Sequence, residues 1–190
     1  LEKPWSYANA WERFPRSIEV WDLKGNVVHT LAHLPLADQV PIHGVAEGPR
    51  SYTWDAVKPS TLIWIEALDG GDPGRKVDFR DHVMTHAIPT RALPMEIYKA
   101  PHRVTGLWWG EKDGLMLIGE YERERRWRTV TALNVGSSKT PRKIFDLSAN
   151  EKYADPGYPL QTPLPNGRYV LLQDGDDIFL SGNGATPDGA

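Results

Sequence analysis

Residues 62–65 (LIWI), 115–118 (LMLI) and 169–172 (YVLL) form three short apolar runs, and they are the strongest indication of the fold. Their first residues lie 53 and 54 positions apart, so the chain carries an internal repeat. A strand that is apolar on both faces must be covered on both faces, and stacked blades achieve this for antiparallel strands. A repeat of about 40 to 50 residues with several short strands per unit is typical of a β-propeller.

The segments before these runs complete the repeat. Turn sequences precede the runs directly: DAVKPS at 55–60, GEKDG at 110–114 and LPNG at 164–167. Aromatic strand ends, SYTW at 51–54 and VTGLWW at 104–109, precede the first two turns. The third unit has YPLQTPL at this place, so its first strand is the least regular of the three.

Two further hairpins are predicted at 17–32 and 128–148, with turns around Gly25 and Gly136. Glycine tolerates the positive φ that such reversals require. Between them, 66–79 is interpreted as an inserted loop that leads into RDHVMTHAI, a further strand.

One segment, 120–135 (EYERERRWRTVTALNV), leaves two interpretations open. It has no Gly or Pro, and Glu122/Arg126 and Glu124/Arg128 have the i,i+4 spacing of a helix. Its second half is rich in β-branched residues, which favours strand, charged turn, strand. We prefer the second interpretation and keep the helix as the alternative.

The composition predicts a nearly all-β chain, because 17 glycines and 16 prolines leave little room for helices. The chain holds about three four-stranded blades, whereas closed propellers have about four to eight. The prediction is therefore an all-β, partial β-propeller in which 1–190 is a fragment of a larger propeller, and the final GNGATPDGA is interpreted as an interrupted loop. Open inner strands expose unpaired edges, so the isolated segment is expected to dimerise or aggregate.

Charge and hydropathy exclude several classes of protein. The formal net charge is −3 and no basic stripe is present, which argues against nucleic-acid and polybasic membrane binding. No uninterrupted apolar stretch is close to the length of about 18 residues that a membrane-spanning helix needs. Cysteine is absent, so disulfides, thiolate metal sites and cysteine nucleophiles are excluded from this segment. The first residues show no secretory signal.

A search for catalytic or metal-binding residues assigns none, and no cofactor is expected. No G-x-S-x-G elbow occurs, and Ser137 and Ser138 lie in a predicted hairpin loop. Near Asp81, His82 and His86 would lie about 13 Å apart on one strand face, too far to share a metal ion, so they are interpreted as exposed strand histidines.

Acidic and aromatic clusters are also interpreted as structural. Asp174, Asp176 and Asp177 are expected in a tight turn, because the ligands that complete a calcium loop are missing. The charged run from Arg123 to Arg128 is expected at a solvated hairpin tip. Of the eight tryptophans, four are expected in the core, namely Trp54, Trp64, Trp108 and Trp109. Two others, Trp5 and Trp11, are expected at the surface.

Several stretches together resemble the propeller region of the glutamyl endopeptidase branch of the prolyl oligopeptidase family. They are RFPRSIEVWDLKGNVVHTLAHLPLADQVP (13–41), GPRSYTW (48–54), IEALDGGDP (65–73), KIFDLSANEKYADPGYP (143–159) and LPNGRYVLLQDGDDIFLSGNGATPDG (164–189). The likeness covers most of the chain and is thinner between 80 and 110. The EALDGGDP and YADPGYP blocks, in this order, make it specific.

The resemblance implies that 1–190 is part of an N-terminal propeller, with a catalytic α/β-hydrolase domain downstream. In such serine peptidases the propeller gates a Ser, Asp and His triad, so that peptides enter and folded proteins do not. The implied partners are a peptide substrate and the hydrolase domain, and the implied compartment is periplasmic or secreted. The alternative is a stand-alone propeller-type module that binds a protein or a glycan.

Overall fold

The computed structural model describes residues 1–5, 7–112 and 114–182. Within these ranges the chain consists of sixteen β-strands, one short 3₁₀ turn at Trp11–Arg13 and connecting loops, without any α-helix. The chain divides into two units. Unit 1 comprises Leu1–Trp54 and Ser60–Pro101, and unit 2 comprises Asp55–Pro59 and the chain from His102 onward.

Unit 1 contains a hairpin and a four-stranded antiparallel sheet. The hairpin pairs β1 (Arg16–Trp21) with β2 (Val27–Leu34), and Gly25 in its turn has a φ of 86°. The sheet has the order β3-β4-β5-β6, in which chain neighbours are sheet neighbours. Its strands are β3 (Arg50–Trp54), β4 (Thr61–Ala67), β5 (Asp81–Ala87) and β6 (Met95–Ala100).

The core of unit 1 lies between the hairpin and the sheet. Leu62 and Trp64 of β4 are buried in one cluster with Ile88, and Val20 of β1 and Leu31 of β2 pack against this cluster. The four consecutive residues of the first apolar run are all buried, as a strand covered on both faces requires. Hydrophobic burial therefore fixes the hairpin on the sheet.

Unit 2 repeats the four-stranded sheet with the order β7-β8-β9-β10. Its strands are β7 (Arg103–Trp109), β8 (Leu115–Glu122), β9 (Trp127–Asn134) and β10 (Arg142–Ser148). Met116, Leu117 and Ile118 of the second apolar run are buried in β8. The repeat places this run, like the first, on the second strand of its sheet.

The rest of unit 2 forms short two-stranded ladders, namely β11 (Tyr158–Pro159) with β16 (Leu180–Ser181), β12 (Gln161–Pro163) with β13 (Tyr169–Leu171), and β14 (Gln173–Asp174) with β15 (Asp177–Ile178). The third apolar run supplies β13, in which Val170 and Leu171 are buried. The third sequence repeat is thus incomplete in its strand pairing, as its irregular sequence indicated. Most of the terminal GNGATPDGA lies outside the described residues.

The prediction of an all-β, partial β-propeller is confirmed. Two separate four-stranded antiparallel sheets have the strand order of propeller blades, and neither closes on itself. The helical alternative for 120–135 is wrong, because β8 ends at Glu122, a turn follows and β9 begins at Trp127. Burial alternates along β9, with Thr129, Thr131 and Leu133 inside, which is the period of a strand and not of a helix.

Candidate functional site

The residues considered for catalysis are not assembled into a catalytic group. Ser137 and Ser138 lie in the exposed connection between β9 and β10. In the ranges that the structure describes, no three His, Asp or Glu side chains are grouped so that they could hold a metal ion. Asp174, Asp176 and Asp177 are exposed around the β14–β15 reversal, which confirms the tight-turn interpretation.

The two histidines of β5 are on a strand, as predicted, but the prediction that they are exposed is wrong. His86 is 5% exposed, because the hairpin brings His29 against it with a ring-centroid distance of 5.1 Å. His82 is half-buried between carboxylates of both neighbouring strands. Its Nδ1 lies 2.9 Å from Oε2 of Glu96, and its Nε2 lies 3.5 Å from Oε2 of Glu66.

We expect acid to destabilise unit 1 through His86. Burial, and secondly the nearby His29, lower the pKa of His86 below its ordinary value of 6.5. The unfolded chain therefore takes up a proton at this residue before the folded chain does, so stability is full above pH 6.5 and falls as the pH drops below that value. Urea unfolding of wild-type and His86→Phe proteins between pH 7.5 and 5 measures this loss.

The matched control for this pH dependence is His33→Gln, because His33 also lies on β2 of the hairpin but is exposed. That variant should keep the wild-type pH dependence, whereas His86→Phe should weaken it. An unchanged slope in His86→Phe would contradict the assignment.

The remaining interpretations are mostly confirmed. Trp64 is buried, Trp54 packs against the core cluster of unit 1, and Trp108 and Trp109 are half-buried. The two tryptophans expected at the surface, Trp5 and Trp11, are exposed. Of the charged run, only 123–126 is a solvated tip, because the last two residues belong to β9.

Arg128, the last residue of that run, belongs to an ion-paired turn that the sequence analysis missed. Its Nη2 donates to Oδ1 of Asp155 at 2.6 Å, and the same oxygen accepts the backbone N–H of Gly157 at 2.9 Å. Gly157 has a φ of 83°, and a Cβ there would overlap the backbone oxygen of Ser181. We call this Asp-x-Gly turn with its arginine a clasp.

A second clasp lies in unit 1, after β4. Asp69 is fully buried, and its Oδ1 accepts the backbone N–H of Gly71 at 2.9 Å while its Oδ2 accepts Nη1 of Arg80 at 2.9 Å. Gly71 has a φ of 75°, and a Cβ there would overlap the backbone oxygen of Val45. The two clasps are formed by the EALDGGDP and YADPGYP blocks, so both blocks have a structural role.

A buried ion pair, also missed from the sequence, fixes β3 to β5. Asp81 is fully buried, and its Oδ2 lies 2.5 Å from Nη2 of Arg50. The second nitrogen of this guanidinium, Nη1, is buried without a hydrogen-bond partner. A desolvated cation and anion of this kind depend on each other, because either one alone is an uncompensated buried charge.

A cavity of about 280 Å³ lies in unit 1. It lies where the 3₁₀ turn, the connection from β2 to β3 and the clasp of Asp69 and Gly71 meet. Its apolar wall consists of half-buried side chains: Phe14, Leu34, Leu36, Val40 and Val45. Backbone hydrogen bonds join the parts of the wall, since Ala37 donates to Arg13 at 2.8 Å and Val45 donates to Gly71 at 3.0 Å.

Five charged residues also line this cavity: Glu12, Arg13, Arg16, Asp38 and Glu47. Among the described residues, none of these five side chains forms an ion pair. Arg16 is half-buried, whereas the other four are exposed.

The positive charge of Arg16 also acts on the nearby Tyr52. Burial raises the pKa of Tyr52 to about 12, Arg16 opposes this shift, and Glu66 adds to it.

Comparison with known proteins finds no matching family model and no significantly matching solved structure. The whole chain is similar to two curated plant proteins, at 34% identity over 198 residues for the one from Oryza sativa subsp. japonica and 36% over 199 for the one from Arabidopsis thaliana. Both are named "Probable glutamyl endopeptidase, chloroplastic". The chain spans 21% of the length of each relative. The resemblance to glutamyl endopeptidases is confirmed at this level.

Proposed function

We propose that this chain is the gating propeller segment of a serine peptidase of the prolyl oligopeptidase family, similar to glutamyl endopeptidase. The observation that supports the proposal is the similarity of the entire chain to a fifth of two proteins that carry the glutamyl endopeptidase name. The blade-like sheets agree with it, since the resemblance implied a propeller in this part of the enzyme. Residues 1–190 would be part of an N-terminal propeller, with an α/β-hydrolase domain further along the full-length protein.

In this proposal, catalysis is acyl transfer by a triad outside this segment. A serine would attack the peptide carbonyl, a histidine would accept the serine proton, and backbone N–H groups would stabilise the oxyanion. The segment itself contributes steric selection: rigid sheets exclude folded proteins and leave room for extended peptides. The partners are then a peptide substrate and the hydrolase domain.

The compartment remains a proposal as well. Among the described residues, no helix has the length and apolarity needed to cross a membrane. The resemblance favours a periplasmic or secreted protein, while the two plant relatives are named chloroplastic. Cell fractionation with an antibody against this segment distinguishes these locations.

The first test is the intact mass of the natural gene product after reaction with a serine-directed fluorophosphonate. We expect a protein much heavier than the 21.4 kDa of this chain, and a mass increase of one probe per molecule. Heat-denatured protein is the control and should remain unlabelled, because an activated serine requires the folded site. Enzyme that has not been treated with the probe should cleave short peptides. It should not cleave a folded protein that contains the same peptide sequence.

The opposite result also has a clear meaning. An unlabelled natural product near 21.4 kDa would overturn the peptidase proposal and favour a stand-alone binding module. Labelling together with equal cleavage of peptides and folded proteins would retain the peptidase and reject the gating role.

A further inference from the structure

Two histidines meet inside unit 1, where the β1–β2 hairpin covers the four-stranded sheet. His29 of β2 and His86 of β5 lie with their ring centroids 5.1 Å apart and their ring planes tilted by 45°. We propose that this pair, together with the neighbouring Met84, binds one monovalent copper ion, Cu(I). The proposal goes beyond the peptidase function and does not depend on it.

Both imidazoles are free to act as ligands. His86 is 5% exposed and His29 is half-buried. Among the residues that the structure describes, neither of these two side chains forms a hydrogen bond or an ion pair. Burial, and secondly His29, lower the pKa of His86, so its ring is neutral at pH 7. A neutral imidazole has a nitrogen lone pair that can coordinate a metal ion, and a buried ring without a polar partner gains most from such a bond.

The separation of the two rings fits a shared ion. A first-row metal ion such as zinc lies about 2.0 Å from an imidazole nitrogen, and therefore roughly 3.1 Å from the ring centroid. Two centroids 5.1 Å apart then subtend an angle of roughly 110° at the ion. This angle suits an ion with three or four ligands and not an ion held between two opposed rings, so a further ligand is required.

Met84 is placed to supply the third ligand. It lies two residues before His86 on β5, so both side chains are on the same face of the sheet. That face is the one that the hairpin covers, since Met84 and Leu31 of β2 pack against the same core cluster. In the described part of the chain, no aspartate or glutamate joins the two histidines to complete a metal site. The ligand set is therefore two imidazoles and a thioether.

This ligand set determines the kind of ion. Thioethers are soft ligands that favour Cu(I), whereas imidazole binds copper and zinc alike. Zinc prefers four ligands in a tetrahedron, drawn from thiolates, imidazoles and carboxylates. A divalent ion would also bring two positive charges next to the buried Leu62 and Trp64, without a carboxylate to balance them. A monovalent ion with neutral ligands brings only one.

The ligands come from two separate elements of unit 1. One imidazole belongs to the hairpin, and the other imidazole and the thioether belong to the sheet. A bound ion would therefore tie β2 to β5, and it would stabilise the folded state because the unfolded chain does not hold the three ligands together.

The test uses the full-length natural protein, freed of metal and kept without oxygen in the presence of ascorbate. Competition with bicinchoninate, whose Cu(I) complex is coloured, measures the number of Cu(I) ions bound per chain and their affinity. We expect His29→Gln to bind one Cu(I) ion fewer per chain than the wild type. The comparison of variants removes the contribution of other ligands in the full-length protein, because these are the same in both.

Two further variants separate the roles of the ligands. Met84→Leu keeps an apolar side chain of similar size and removes the thioether. It should weaken the affinity for this one ion at least about tenfold, the effect of losing even an outer-shell partner. The matched control is His33→Gln, because His33 also lies on β2 but is exposed and contacts Ser17. This control should bind as many ions as the wild type, and equal melting temperatures without metal show that the variants are folded.

Four results would overturn the proposal. They are an equal number of Cu(I) ions in the wild type and His29→Gln, an equal loss in His33→Gln, an unchanged affinity in Met84→Leu, and tighter binding of Zn²⁺ than of Cu(I) at the site that His29→Gln removes. A zinc indicator in the same competition measures the last of these. Met84→Leu keeps the test decisive where His29→Gln lowers stability, because it leaves both histidines and the packing of the hairpin in place.

Discussion

Gly71→Ala is expected to lower the free energy of unfolding by about 3 kcal/mol or more, because two independent costs combine at this position. The residue has a φ of 75°, which L-residues adopt only with strain. A Cβ would also overlap the backbone oxygen of Val45, and backbone cannot move aside as a flexible side chain can. Urea unfolding of the natural gene product, followed by tryptophan fluorescence, measures the loss.

The matched control for Gly71→Ala is Gly25→Ala in the β1–β2 turn. Gly25 has a φ of 86°, but a Cβ there would meet nothing within 4 Å. This variant therefore loses stability only through the strained backbone conformation and not through a steric overlap. That cost is about 1 to 2 kcal/mol for a residue in the left-handed region. If the two variants lost the same stability, close approach of Val45 would not be the reason for glycine at position 71.

Asp81→Ala is the second prediction with a large effect, a loss of about 3 to 5 kcal/mol of unfolding free energy. The substitution leaves Arg50 with a buried cation and no counter-charge from β5, while its Nη1 already lacks a partner. The double variant Arg50→Met/Asp81→Leu should recover most of the loss, because it removes both charges and keeps apolar volume. Thermal and urea unfolding of the single and double variants form the measurement.

Lys143→Ala supplies the comparison for this ion pair. Lys143 and Asp146 lie 2.9 Å apart, but both side chains are about half exposed. Such pairs contribute about 0 to 1 kcal/mol, so this variant should be near wild type. A loss in Asp81→Ala as small as that in Lys143→Ala would show that the Arg50–Asp81 pair is as hydrated as a surface pair.

The sheets could be predicted because their signals are local. Residues 62–65 and 115–118 carry the apolar pattern of covered strands, and each lies within a few residues of its turn. The hairpins around Gly25 and Gly136 are marked by glycines at the reversal, and both glycines have positive φ in the structure. These features require no knowledge of residues distant in sequence.

The environment of the side chains could not be predicted in the same way, because it depends on distant partners. His86 is buried by His29, which is 57 positions earlier, so no pattern around 80–88 reveals it. Asp69 and Asp81 were missed because an isolated aspartate favours the surface, and their arginines come from positions 80 and 50. The cavity is likewise formed by three separate segments of the chain.

The clasps had a partial signal that the sequence analysis did not use. Asp-x-Gly occurs in both blocks that carried the resemblance, and an aspartate that accepts the backbone N–H two residues later is a common turn. The arginine that completes each clasp is 11 and 27 residues away. A sequence pattern could therefore have identified the turn but not the ion pair.

The clasps also determine what a resemblance based on these blocks can report. Asp69, Gly71 and Arg80, like Asp155, Gly157 and Arg128, stabilise loop geometry and touch no reacting group in the described chain. A descendant protein could lose its hydrolase activity and still need every one of these residues to fold. The two blocks are therefore markers of shared ancestry and architecture, and a peptidase name transferred through them requires independent proof from the serine itself.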